Sequence, residues 1–121
     1  MSDHQKILDL VQRYLVSIYE GDAEGLRAVF HPEARVEDMV TGAFRSRSAG
    51  QYIEAVASRV SPEASGEPFR MTPRSIDVVG GMATATAELR FLGNHFFNVL
   101  SLLRVDGRWL ITHKLFGPVD E

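Results

Sequence analysis

The 121-residue chain contains no cysteine, only one tryptophan and no long apolar run. Without cysteine there are no disulfides and no thiolate metal ligands, and an intracellular, cytoplasmic location is favoured. No apolar stretch approaches the roughly 18 residues of a bilayer-spanning helix, and the polar start Met1-Ser2-Asp3-His4-Gln5-Lys6 does not read as a secretory signal. Membrane partners are therefore not expected. An excess of basic residues is also lacking: 13 Lys and Arg against 16 Asp and Glu leave a net charge of −3, with the basic residues scattered. That distribution gives no footprint for nucleic acid. The four histidines, His4, His31, His95 and His113, lack closely spaced partner ligands, so no metal site is expected. Gly80-Gly81 does not open a helix and is not a phosphate loop, and no Ser/His/Asp set is legible.

What is present is an ordinary globular composition, 45% apolar and 24% charged. Its length suits one domain over residues 1–121 with one core. The first third is helical in pattern. Ser2 and Gln5 fit a capping box, and Ile7, Leu8, Val11, Tyr14, Leu15 and Ile18 recur at helical spacing. Gly21 suits the helix end, and Asp22 caps a second helix carrying Leu26, Val29 and Phe30. His31-Pro32 stops it, because a residue preceding proline is driven out of the helical region. After a short strand and a turn at Thr41-Gly42, Ser48 and Gln51 cap a third helix with Tyr52, Ile53, Val56 and Val60 on one side. Residues 61–68 form a loop.

The second half changes period. Gly80-Gly81, Gly93-Asn94 and Asp106-Gly107 are hairpin signals that divide residues 69–116 into a four-strand antiparallel meander. Pro73 inside its first strand predicts an edge position or a bulge. Helices followed by a sheet give the α+β class. Three helices cannot cover both faces of such a sheet. One face is expected to curve around the helices and leave a cone-shaped cavity; the other, carrying apolar residues, is expected to be polar or covered by a second copy in a homodimer.

The chemistry concentrates at Asp38. Along Ala34-Arg35-Val36-Glu37-Asp38-Met39-Val40, period-two alternation sends Ala34, Val36, Asp38 and Val40 to one face. A carboxylate on an otherwise apolar face is either paired or functional. Unpaired and desolvated, it would serve as a base near neutral pH. Paired, it would be a structural partner of Arg35, Arg45, Arg47 or Lys114, and both readings stand at this point. Tyr14, in the apolar stripe of the first helix, is likewise either a core tyrosine or a pocket residue. On the last strand, Trp109, Ile111, His113 and Leu115 alternate with Leu110, Thr112, Lys114 and Phe116. If Phe116 faces inward then Lys114 does too unless a bulge intervenes, and a buried lysine needs a carboxylate such as Asp38.

The order helix, helix, strand, helix, four-strand meander resembles the nuclear transport factor 2-like superfamily (cystatin-like in architecture) over essentially the whole chain. Val11-Gln12-Arg13-Tyr14, Val36-Glu37-Asp38 and Leu115-Phe116-Gly117 are similar to bacterial ketosteroid isomerase and its SnoaL-like relatives. Leu92-Gly93-Asn94-His95 and Asp106-Gly107-Arg108-Trp109 are similar to a bacterial branch known as putative lumazine-binding. The resemblance implies a strongly curved, mostly antiparallel sheet wrapped around three N-terminal helices. It further implies a cofactor-independent isomerase or lyase chemistry: Asp38 as general base, Tyr14 as oxyanion donor and Ser101 as second donor, where the isomerase has a protonated aspartate. A shortened Asp106-Gly107 hairpin keeps Asn98 and His95 open as alternatives to Ser101. The implied lining of the cavity is Phe30, Val36, Phe44, Ile53, Phe91, His95, Phe97, Val99, Lys114 and Phe116, suited to a small apolar or aromatic ligand. Two rival readings are a non-catalytic ligand-binding or sensing protein and a dimerising interaction module whose cavity is filled by side chains. No cofactor is required by the proton-transfer mechanism, and none is expected.

Overall fold

A computed structural model describes residues 1–119 of the chain. Helix α1 spans Asp3–Glu20; its first turn is held by the Ser2 hydroxyl, which accepts from the Gln5 backbone N–H. Ile7, Val11, Tyr14, Leu15 and Ile18 form its buried stripe, and Gly21 ends it in the left-handed conformation at φ 70°. Asp22 caps α2, Ala23–Val29. The two helices meet closely at Gly25, where a β-carbon would fall 2.2 Å from the Ser17 hydroxyl oxygen. Helix α2 stops one residue earlier than its pattern predicts, because Phe30 is already extended and begins β1, Phe30–Asp38.

A short strand β2, Arg45–Ser48, returns antiparallel to β1 and runs into α3, Ala49–Ser58, through the expected Ser48/Gln51 capping box. The sequence Arg45-Ser46-Arg47-Ser48 carries no apolar alternation, which is why β2 was not foreseen. Four further strands follow: β3 Met71–Val79, β4 Met82–Phe91, β5 Asn94–Val105 and β6 Arg108–Pro118. They join β1 and β2 in a six-stranded sheet of order β2-β1-β6-β5-β4-β3, antiparallel except for the parallel β1–β6 pair. The β1–β6 register breaks between Phe30 and Arg35, across Pro32, which has no N–H to give a ladder. Pro73 meets both of its expectations: β3 is an edge strand and its register shifts between Pro73 and Ser75.

All three meander hairpins are two-residue loops. The middle one is Leu92-Gly93 rather than Gly93-Asn94, with Leu92 at φ 50° and Gly93 at φ 79°. Positive φ at both positions matches the twist of the flanking strands. The sheet is not closed; the helices cover one face, against Ala83, Ala85, Ala87, Leu89, Leu100 and Leu102. The fold is thus the α+β cone expected. Among the described residues, no helix is long and apolar enough to cross a membrane, and no group of three acidic or histidine side chains is placed to hold a metal ion.

Candidate functional site

Between α3 and the paired ends of β4, β5 and β6, the core leaves a cavity of about 300 Å³. Its wall is part apolar, from Ile18, Val56, Leu89, Phe91, Phe96 and Phe116. The rest is polar and rich in basic groups: Arg45 and Arg47 from β2, Arg59 just beyond α3, Lys114 from β6, and the side chains of Tyr52, Asn94 and Asn98. Several of these are placed by local periodicity. Arg45 and Arg47 are two apart on a strand and share a face. Tyr52, Val56 and Arg59 fall on one side of α3 at spacings of four and three.

Lys114 is the central group. It is only 3% exposed, and its ammonium nitrogen donates to the Tyr52 hydroxyl at 2.5 Å. The same nitrogen lies 4.1 Å from the centre of the Tyr52 ring, 4.8 Å from that of Phe116 and 5.3 Å from that of Tyr14. It forms no ion pair among the described residues; the expected partner, Asp38, is engaged elsewhere. Burial holds the Lys114 amine well below its ordinary pKa of 10.5, and the nearby Arg59 and Arg47 charges push the same way against a weaker pull from Asp38. Burial also drives the Tyr14 hydroxyl well above its ordinary value and Tyr52 up to about 12.

Lys114 reaches the cavity through a β-bulge. The β5–β6 register shifts between Ser101, opposite His113, and Leu102, opposite Ile111, leaving Thr112 extra. Trp109 and Ile111 therefore face the core as one parity, and Lys114 and Phe116 as the other. The strict alternation read from the sequence holds only on each side of Thr112.

Asp38 is buried, as its apolar face implied, but it is paired. Its carboxylate accepts from Arg45 Nε at 2.9 Å and from the Val40 N–H at 3.0 Å, and lies 3.6 Å from Arg47 Nη2. Of the partners left open by the sequence, Arg45 and Arg47 are the ones engaged. Asp38 thus sits behind the two arginines, beside a separate surface depression that also contains Phe44. Burial and the charge of Arg45 lower the Arg47 pKa while Asp38 opposes them, and Arg47 Nε is buried without a hydrogen-bond partner.

Tyr14 is fully buried and donates to the Asn98 side-chain oxygen at 2.5 Å. Ser101 lies on the opposite, exposed face of β5, so the partner of Tyr14 is Asn98, one of the two alternatives to serine. His95, Phe97 and Val99 share Ser101's parity and turn away with it; His95 Nε2 is 2.6 Å from Glu88. Of the remaining expected lining residues, Phe91, Lys114 and Phe116 do line the cavity. Phe30 packs on the rings of Tyr14 and Tyr52, Ile53 borders a different groove with it, and Val36 is core. Phe44 is 69% exposed.

Arg45, Arg47, Arg59 and Tyr52 line the cavity without having been read as pocket groups, and a signal that selects Asn98 over Ser101 was present. A two-residue loop pairs the odd positions of β4 with the even positions of β5. With Ala83 to Phe91 inward, Phe96, Asn98 and Leu100 must be inward too.

No curated protein matches the chain. Among solved structures, it is similar to a nuclear transport factor 2-like protein of unknown function from Shewanella baltica (TM-score 0.87, 19% identity, covering 98% of this chain and 95% of that one). Similar proteins from Silicibacter pomeroyi (0.79, 22%, covering 93% and 92%) and Methylobacillus flagellatus (0.79, 23%, covering 98% and 93%) share the fold. At these identities the likeness concerns the fold alone. Residues 2–117 match the family described as "Putative lumazine-binding", and on that match, nearly the length of the sheet and helices just described, the chain belongs to this family.

Proposed function

We propose that the protein binds a small anionic molecule with a planar or aromatic part in the cavity beneath α3. The observation that carries this reading is the composition of the wall: three guanidinium groups and the Lys114 amine converge on about 300 Å³, and Asp38 is tied up behind two of the arginines. The unpartnered Nε of Arg47 is a donor that an incoming anion would satisfy. Phe91, Phe96 and Phe116 supply flat apolar surface for the rest of the ligand. A ligand-binding role of this kind agrees with the family's description.

Proton transfer next to a carbonyl, with Asp38 as base and Tyr14 as oxyanion donor, is the less favoured reading. It would require Asp38 to leave Arg45 and Tyr14 to leave Asn98. The second copy expected on the uncovered face would meet Phe97, Leu103 and Leu115, which stay exposed there; sedimentation showing a 13.5 kDa species alone at micromolar concentration would reject a homodimer.

The test is calorimetric titration with lumazine and with benzoate. Binding of at least one, weakened on the order of tenfold by Arg59→Gln, is expected for the loss of one charge-assisted contact. Absence of binding by both, in a protein that melts normally, would sink the reading.

A further inference from the structure

The two lysines of the chain are in opposite situations. Lys6 lies exposed on α1, whereas Lys114 is buried in the cavity wall with no carboxylate paired to it. A buried ammonium without a counter-charge is costly, and proteins relieve that cost by leaving the amine neutral. The charges of Arg59 beyond α3 and Arg47 from β2 reinforce this against the weaker opposing Asp38 of β1, while the rings of Tyr52 from α3, Tyr14 from α1 and Phe116 from β6 enclose the nitrogen. A buried amine whose charged form is disfavoured, held against a hydroxyl at 2.5 Å and opening on a cavity, is the arrangement of an activated nitrogen nucleophile.

We propose that Lys114 captures the carbonyl carbon of a small carboxylate-bearing aldehyde or ketone as an imine, with the carboxylate lying against Arg47 and Arg59. The proposal rests on the anion-binding reading of the same cavity and adds a covalent step to it. Attack by the Lys114 nitrogen forms the N–C bond and moves the carbonyl π pair onto oxygen, where the Tyr52 hydroxyl delivers a proton. Nitrogen then returns a proton to Tyr52, the C–O bond breaks, and both amine hydrogens leave with the carbonyl oxygen as one water. Amine plus carbonyl thus gives imine plus water, with no change of oxidation state. The aromatic rings around the nitrogen exclude bulk water from the adduct and stabilise its protonated form.

The experiment incubates the full-length protein with 4-formylbenzoate at pH 7, reduces any imine with cyanoborohydride, and locates the adduct by peptide mass spectrometry. Lys6 and the N-terminal amine serve as internal references. Labelling of Lys114 on the order of tenfold faster than Lys6 is expected, since the buried amine gives up its proton more readily and the carboxylate holds the aldehyde beside it. Benzoate should slow labelling at Lys114 and leave Lys6 unchanged. Labelling of Lys114 no faster than Lys6 overturns the proposal, and benzaldehyde labelling Lys114 as fast as 4-formylbenzoate overturns the role given to the carboxylate. The two readings fail separately. Benzoate that binds by calorimetry while Lys114 stays unlabelled removes the imine and keeps the anion site; no binding and no label removes both.

Discussion

Replacing Asp38 with asparagine discriminates between a structural ion pair and a catalytic base. Asparagine keeps the shape and an oxygen that can still accept from the Val40 N–H, so the change is mainly the loss of one negative charge. The Asp38 side chain is 0% exposed, that of Arg47 17% and that of Arg45 44%. Removing one partner of a buried pair typically costs 3–5 kcal/mol, because a charge is left uncompensated. Arg45 is accessible enough to be rehydrated, so its share is screened to little. Arg47 is mostly enclosed and already carries one unpartnered nitrogen, so its share remains. The expected loss is about 2–3 kcal/mol, which for a domain of this size corresponds to a fall in melting temperature of roughly 6–12 °C. Circular dichroism melts at neutral pH, with and without added salt, measure it, and the loss should survive moderate salt because the pair is enclosed. A functional base held against its own folding preference behaves oppositely: its neutralisation is neutral or stabilising. A melting temperature unchanged or raised in Asp38→Asn would refute the ion-pair assignment and return Asp38 to the proton-transfer reading.

Three further outcomes are expected. Tyr14→Phe strands the buried oxygen of Asn98 and should lower stability in urea by about 1–3 kcal/mol; an unchanged midpoint would mean that this hydrogen bond has a substitute. Leu92→Gly relieves a left-handed leucine at φ 50° in the β4–β5 turn and should stabilise by roughly 0.5–1 kcal/mol, a melting temperature lower than the parent's speaking against strain at that turn. The last concerns pH. The folded Lys114 amine binds its proton more weakly than the ordinary 10.5, so between its folded value and 10.5 the unfolded chain holds the extra proton and stability rises with pH. Tyr52, pushed up to about 12, has the opposite slope: above about pH 10 the unfolded chain loses a proton that the fold retains, and stability falls. Melts across this range should pass through a maximum near pH 10, and Lys114→Met should flatten the rising limb; a rising limb unaltered by the substitution would show that the lysine is not its source.

The fold was legible because its signals are local and redundant. The Ser48/Gln51 capping box, the stripe from Ile7 to Ile18 and the three turn pairs each declare an element without reference to the others. The interior carboxylate was legible for the same reason, since Asp38 breaks an apolar alternation. What was hidden depends on partners distant in sequence. Whether Asp38 meets Lys114 or the arginines depends on β2, a strand with no apolar signature, formed only because β1 offers it a ladder. The placement of Ser101, Phe97 and Val99 rested on a resemblance at low identity, where a slip of one residue exchanges the two faces of a strand. The hairpin between β4 and β5 held the information that corrects it, in the pairing of Ala87 with Asn98.

The bulge at Thr112 makes the character of the cavity a matter of ladder register as much as of side-chain identity. Were the bulge ironed out with Thr112 taken into the ladder opposite Ser101, the terminal half of β6 would reverse its faces. The amine and the ring of Phe116 would turn to the outside, and the pocket would receive neighbours now on the opposite face, His113 and Leu115. Deleting Thr112 would instead leave His113 opposite Ser101 and the amine inside, so a lysine-centred pocket depends on how the one surplus residue is absorbed, with every other residue of the wall left in place.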